Sequence, residues 1–264
     1  MKLGISSWTY TWAIGVNDYA PPQPLAPLDL VERAKALGVH VLQVADNLPL
    51  HRLSVVERQT FAAAAATHDI EIEVGTKGLT IANIQRYLGI CAELKARLLR
   101  VIIDSPGDEP GPDEVVARLH ALRPALEAGG VTLGIENHDR FQARVLADIV
   151  RRAASPLVGI CLDTVNSFGA PEGPEVVVGT LAPYVVNLHL KDFTIFRAPQ
   201  MMGFIIEGRP VGQGRTAVPW LLQMLAAQGR DVNAIIEQWT PNQGTVEANI
   251  ALEACWATES VAYA

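Results

Sequence analysis

The chain has 264 residues, of which 49% are hydrophobic, and a formal net charge of -7 with a pI near 5.4. This acidity repels both a phosphate backbone and an anionic membrane surface, so neither nucleic acid nor a membrane is an expected partner, and any anionic substrate must be met by local cations. The amino terminus MKLGISSWTY reads directly as a strand without an apolar signal core, no run approaches the ~20 apolar residues of a membrane span, and a cytoplasmic location is expected.

In chain order, β-branched runs near residues 2–6, 39–45, 70–75, 98–104, 131–136, 157–163, 184–190 and 233–238 predict eight strands. Helical patterns lie between them. Leu30, Val31, Ala34 and Leu37 trace one apolar face that stops at Gly38, and Ser54-Val-Val-Glu57 matches a capping box. The alanines at 62–66 suit a packed helix face, and PPQP at 21–24 a loop after the first strand. That strand ends SSWTYTW without GxGxxG, which argues against an open doubly wound sheet. Eightfold alternation predicts an α/β fold, a (β/α)8 TIM barrel, as one domain over 1–264. Asp192–Arg215, about 24 residues, reads as a long loop of the kind that forms lids. Cys91, Cys161 and Cys255 are odd in number, lack CxxC spacing and fall in apolar segments, so buried reduced thiols are expected.

Four predicted strands end in a polar residue: Glu136 in GIEN, Asp163 in GICLD, His189 in VNLHL and Glu237 in AIIE. Any one of them alone reads as an ion-pair or helix-cap partner. Glu136 and Asp163 are 27 residues apart and Asp163 and His189 26, one βα unit each, and a closed parallel barrel delivers every strand end to the same rim. Three carboxylates and an imidazole then form a candidate site for a divalent metal. These donors suit Mn²⁺ first, with Mg²⁺ or Co²⁺ as alternatives, and the lack of thiolates argues against structural zinc.

A divalent ion holding a ketone and its neighbouring hydroxyl stabilises the enediolate formed when a carboxylate removes the α-proton. Glu136 and Glu237 are the candidate acid and base. Strand alternation puts Asn187 and Lys191 on the face of His189, making Lys191 a candidate substrate contact. Lys77, His138, Arg197, Arg209 and Arg215 can add positive charge at the mouth, although loop cations are mostly just solvated. Asp46, Asn47 and Asp104 can bind hydroxyls or cap helices. Trp8, Trp12, Phe193, Phe196, Met201, Met202, Phe204 and Trp239 can wall a sugar or simply pack. GQG at 212–214 lies where barrels often bind phosphate, and equally suits a plain turn.

The series IENHDRF, CLDTVNSF, NLHLKDF and IIEQW resembles the xylose isomerase-like sugar isomerase and epimerase superfamily, with the tagatose 3-epimerase type as the clearest relative. The resemblance implies that Glu136, Asp163, His189 and Glu237 bind the metal and that the two glutamates also act as acid and base. It implies a keto-sugar or sugar derivative as substrate and an isomerase or epimerase activity. One departure is Asn166, where those epimerases carry a substrate-binding histidine three residues after the aspartate. Together with WTYTWAIGV, VADNLPL and MMGFIIEGRPVGQGR, it is also similar to decarboxylases of branched 3-oxo sugar acids, the 3-oxoisoapionate type. Such a carboxy-lyase, or a related lyase, would use the same metal site on a sugar acid. The superfamily's nucleases require a histidine-rich site, and of six histidines here only His138 and His189 fall near the rim. Homo-oligomerisation is left open.

Overall fold

The computed structural model describes residues 1–16 and 19–264. Its strands are β1 (Leu3–Ser6), β2 (Val41–Val44), β3 (Glu71–Lys77), β4 (Leu98–Ile102), β5 (Thr132–Glu136), β6 (Val158–Asp163), β7 (Val185–Leu190), β8 (Asp192–Arg197), β9 (Phe204–Arg209) and β10 (Ala234–Ile236). The helices are α1 (Thr11–Ile14), α2 (Pro27–Leu37), α3 (Val55–Thr67), α4 (Ile81–Leu94), α5 (Pro112–Gly129), α6 (Ala143–Ala153), α7 (Pro174–Leu181), α8 (Val218–Ala227) and α9 (Val246–Tyr263). Eight strands close into a parallel barrel in the order β1-β10-β7-β6-β5-β4-β3-β2, the TIM-barrel order with β8 and β9 set aside. The eight sequence runs are these eight strands.

Helix ends follow their chemistry. Pro27 opens α2 and Gly38 closes it at φ 69°, a left-handed conformation cheap only for glycine. At α3 the capping box forms: the Ser54 N–H donates to Glu57 at 2.7 Å, and the Glu57 N–H donates to Ser54 Oγ at 3.2 Å. The outward strand residues, among them Leu42, Leu99, Leu133, Leu162 and Leu188, are fully buried beneath helix residues such as Leu30, Leu119 and Leu146. This shell leaves the barrel interior free to carry polar residues.

The segment after β7 is an antiparallel hairpin of β8 and β9 rather than an irregular loop. Ile195 pairs with Ile206 and Phe196 with Ile205 across it, and such β-branched and aromatic pairs favour the ladder. The GQG turn beyond it is not an open anion cradle. Asp192 Oδ2 accepts the N–H groups of Gly212 and Gly214, each at 2.9 Å, and Asp192 Oδ1 accepts that of Thr216 at 2.8 Å. The turn's anion is therefore a buried side chain of the protein itself. A Cβ at position 214 would lie 2.2 Å from Asp192 Oδ1, which is why glycine stands there.

Cys91 and Cys161 are buried, but Cys255 is exposed. The buried face of α9 runs through Asn249, Glu253, Trp256, Ala257 and Ser260, and Cys255 falls off that stripe despite its apolar neighbours. Glu253 binds this helix to α1, accepting the N–H groups of Trp12 and Ala13 at 2.8 and 2.7 Å. Burial pushes its carboxyl up to about 7, against the opposing pull of those two N–H groups and Arg33. Because the folded-state pKa lies above the ordinary value, the native state holds this proton more tightly than the unfolded chain. Stability from it is complete below the unfolded pKa and is lost as pH rises through about 7. Urea unfolding of wild type is expected to lose up to about 3 kcal/mol relative to Glu253→Gln between pH 4.5 and 8. Parallel pH profiles for the two proteins would exclude this linkage.

Candidate functional site

The residues that close the barrel's C-terminal mouth come from many strands, and register brings them level. Asp163 pairs with His189 across β6 and β7, and Glu136 with Cys161 across β5 and β6. Glu237 directly follows β10. His189 Nδ1 lies 3.4 Å from Glu237 Oε2, 3.5 Å from Glu136 Oε2 and 3.8 Å from Asp163 Oδ2. All four side chains are essentially inaccessible to solvent.

Three atoms of this group, Asp163 Oδ2, His189 Nδ1 and Glu237 Oε2, are buried without a hydrogen-bond partner. Buried polar atoms are almost always satisfied, so three converging orphans mark a place built for another group. Asp163, His189 and Glu237 each offer a ligand atom within 4.8 Å of those of the other two. The remaining atoms are held by the protein: Asp163 Oδ1 accepts the N–H groups of Val165 and Asn166 at 2.8 and 2.9 Å, and the Ser6 hydroxyl donates to Glu237 Oε1 at 2.8 Å. The donor set of two carboxylate oxygens and an imidazole nitrogen fits a divalent cation.

Glu136 stands differently. Its Oε2 accepts from Arg100 Nε, and its Oε1 accepts from Asn166 Nδ2 at 2.6 Å. Arg100 also donates to Asp46 Oδ1 at 2.6 Å. Burial opposes ionisation of both groups, but charge attraction wins: Arg100 holds Asp46 below the usual carboxylate range, and Glu136, followed by Asp46 and Glu237, holds Arg100 above its ordinary value. Arg100 sits in the interior of β4 and was not singled out by its sequence. The signal was present as a lone arginine inside the apolar run LLRVI.

Lys191 points inward. Its Nζ lies 2.7 Å from Asp163 Oδ2 and 3.1 Å from Glu237 Oε2, outside the angles of a hydrogen bond, and it donates to Asn166 Oδ1 at 3.3 Å. Burial opposes its charge, but Asp163, Glu237 and Glu136 outweigh that and raise its pKa. The same field acts on its neighbours. Burial again opposes charging of His189, yet the Cys161 sulfur, Glu237 and Glu136 raise its pKa well above the ordinary value. Burial would raise Glu237, but His189, Lys191 and Arg100 hold it well below the carboxylate range. With His189 neutral, as a metal ligand must be, four carboxyl groups, Asp46, Glu136, Asp163 and Glu237, face the two cations Arg100 and Lys191. A divalent cation matches the charge left over.

A cavity of about 390 Å³ opens above the cluster, lined by Trp8, Thr11, Arg100, Ile102, Glu136, His138, Val165, Asn166, Lys191, Glu237, Gln238 and Trp239. That volume suits a small molecule. His138 reaches it with a 34% exposed side chain, its Nδ1 3.1 Å from Asp139. Other expected contacts lie elsewhere. Lys77 is exposed at the end of β3, and Arg197 sits in the hairpin with its guanidinium 4.8 Å from the Phe204 ring centroid. Neither lines the cavity, nor do Arg209 and Arg215. Only Trp8 and Trp239 of the expected aromatic wall do so; Met201, Met202 and Phe204 are exposed on the hairpin. Among the described residues no helix is long and apolar enough to cross a membrane.

The profile of the xylose isomerase-like TIM barrel family matches residues 31–258. The 3-oxo-isoapionate decarboxylase of Pectobacterium atrosepticum is 32% identical over 263 residues, which is 100% of this chain and 94% of that protein. A D-psicose 3-epimerase from Clostridium cellulolyticum H10, crystallised with D-tagatose, superposes with a TM-score of 0.73 at 19% identity, covering 100% of this chain and 98% of that one. A xylose isomerase-like TIM barrel protein from Mycobacterium smegmatis, in complex with magnesium, gives 0.73 at 13% identity, covering 98% of this chain and 97% of the other. At these identities the two structures establish the fold alone.

Proposed function

The chain belongs to the xylose isomerase-like TIM barrel family, and from that premise we propose that it is a divalent-metal-dependent decarboxylase of a 3-oxo sugar acid. Of the two reactions raised by the sequence, epimerisation calls for two free carboxylates on opposite faces of a ketose, one to take a proton and one to return it. Here both oxygens of Glu136 are engaged, by Arg100 and Asn166, while the inward ammonium of Lys191 stands at the cavity. That arrangement, one tied carboxylate beside one buried cation, carries the reading. The relationship to the Pectobacterium decarboxylase along its whole length supports it.

Asp163, His189 and Glu237 would hold the metal through their three orphaned atoms, with Glu136 beside them, and manganese is the ion we favour for this donor set. When bound, the ion supplies Lewis-acid polarisation of the 3-oxo group. Lys191 holds and orients the substrate carboxylate. The bond from that carboxylate carbon to C2 breaks, carbon dioxide leaves, and the electron pair passes into the enolate of C2, C3 and the C3 oxygen. A proton of solvent origin then adds at C2. Arg100 and Asn166 keep Glu136 fixed throughout, and Trp8 and Trp239 exclude water from one wall of the cavity.

The test is incubation of the Mn²⁺-loaded protein in D₂O with 3-oxo sugar acids and with neutral ketoses. Carbon dioxide equal to the acid consumed, with one deuterium at C2 of the product, is expected. Epimerised ketose without carbon dioxide release from any acid would return the assignment to an epimerase.

A further inference from the structure

Beneath the carboxylate cluster lies a second polar layer that the proposed reaction does not use. Gln43 on β2, Glu73 on β3 and Asn187 on β7 are buried in the barrel interior, although β2 and β7 are not neighbours in the sheet. Gln43 Nε2 donates to Glu73 Oε2 at 3.0 Å and to Asn187 Oδ1 at 3.1 Å. Asn187 Nδ2 donates to Glu73 Oε2 at 2.9 Å, and Asn233 Nδ2 to Glu73 Oε1 at 2.8 Å. Gln43 Oε1 then lies 2.7 Å from His189 Nε2.

The two ends of an amide have nearly the same shape, so its partners decide which way it points. Burial pushes the Glu73 carboxyl up, against the pull of the hydrogen bonds from Asn233, Gln43 and Asn187, and as a carboxylate it presents only acceptor oxygens to these three amides. Each must turn its nitrogen toward Glu73, and Gln43 gives one N–H to Glu73 and the other to Asn187 Oδ1. Its oxygen is left for His189, and an oxygen there requires hydrogen on Nε2. In the neutral imidazole the Nδ1 lone pair then points among Asp163 and Glu237. We propose that Gln43, itself oriented by Glu73, is the positioning residue that holds His189 in the tautomer able to bind the metal. This rests on the metal reading above. It extends the site from the mouth of the barrel into its interior.

The test is titration with Mn²⁺ by calorimetry at fixed pH, with no turnover involved. Gln43→Met and Glu73→Met are each expected to weaken binding by about 10- to 100-fold, the range for partners that orient a ligand. Glu73→Gln is expected to stay within about threefold of wild type, because its carbonyl still accepts from Gln43 and Asn187 while Asn233 turns its amide. Wild-type affinity in Gln43→Met overturns the proposal. A loss in Glu73→Gln as large as in Glu73→Met overturns the orienting role of Glu73 in favour of its charge. A wild-type protein that binds no Mn²⁺ ends the metal reading instead. In that case, or if a variant fails to fold, the imidazole nitrogen-15 spectrum of wild type above the titration of His189 decides: hydrogen on Nε2 supports the proposal, and hydrogen on Nδ1 overturns it.

Discussion

Asp163→Asn is expected to abolish divalent-ion binding while the barrel stays folded. The substitution is chosen from the two halves of the carboxylate. Oδ1 accepts the N–H groups of Val165 and Asn166, and an asparagine oxygen can keep both, avoiding the ~1–3 kcal/mol cost of stranding buried donors. Oδ2 is one of the three orphaned atoms, and an amide nitrogen there has no lone pair for a cation. Mn²⁺ affinity should fall more than ~100-fold, beyond the range of groups that only orient a ligand. Circular dichroism should change little, while loss of the charge beside the Lys191 ammonium lowers the unfolding midpoint. Full occupancy in Asp163→Asn and in Glu237→Gln would place the ion elsewhere.

Lys191→Met is expected to act in opposite directions on metal and substrate. The ammonium lies 2.7 Å from Asp163 and 3.1 Å from Glu237, the carboxylates assigned to the ion, so its removal should leave Mn²⁺ binding unchanged or tighter. A substrate carboxylate loses its cation at the same time. Truncating one partner of a buried, hydrogen-bonded charge pair costs about 2–5 kcal/mol, so kcat/KM on a 3-oxo acid should fall between ~30- and several thousand-fold. A neutral ketose would lose only a hydrogen bond, about 1 kcal/mol. Steady-state kinetics on both substrate classes checks this. Wild-type values on every active substrate would remove Lys191 from the site and leave the anionic-substrate reading without its principal residue.

Much of this architecture was legible in the chain because barrel signals are local. A β-branched run, a glycine stop at 38 and the Ser54–Glu57 box each express their structure within a few residues. The inward aim of Lys191 followed from the two-residue period of β7 extended past its end. Other features needed more than pattern. The 192–215 segment reads as loop because its two strands pair only with each other and fall outside the eightfold alternation, and Cys255 reads as buried because helix phase is not resolved in an alanine-rich stretch. Arg197 and Lys77 had charge and a place near strand ends. Nothing local told whether they turned toward the cavity.

The order of strands and helices, and the four polar strand ends Glu136, Asp163, His189 and Glu237, were determined by the sequence itself, since each depends on local periodicity and on the spacing of one βα unit. Only the tertiary structure decided how those ends are used. The clamp of Arg100 on Glu136 spans 36 residues, the contact of Gln43 with His189 spans 146, and that of Ser6 with Glu237 spans 231. Such pairs form because the barrel closes in one register and burial then forces every polar atom inside it to find a partner. The atoms left without one, Asp163 Oδ2, His189 Nδ1 and Glu237 Oε2, become visible only after all the others have been matched in three dimensions.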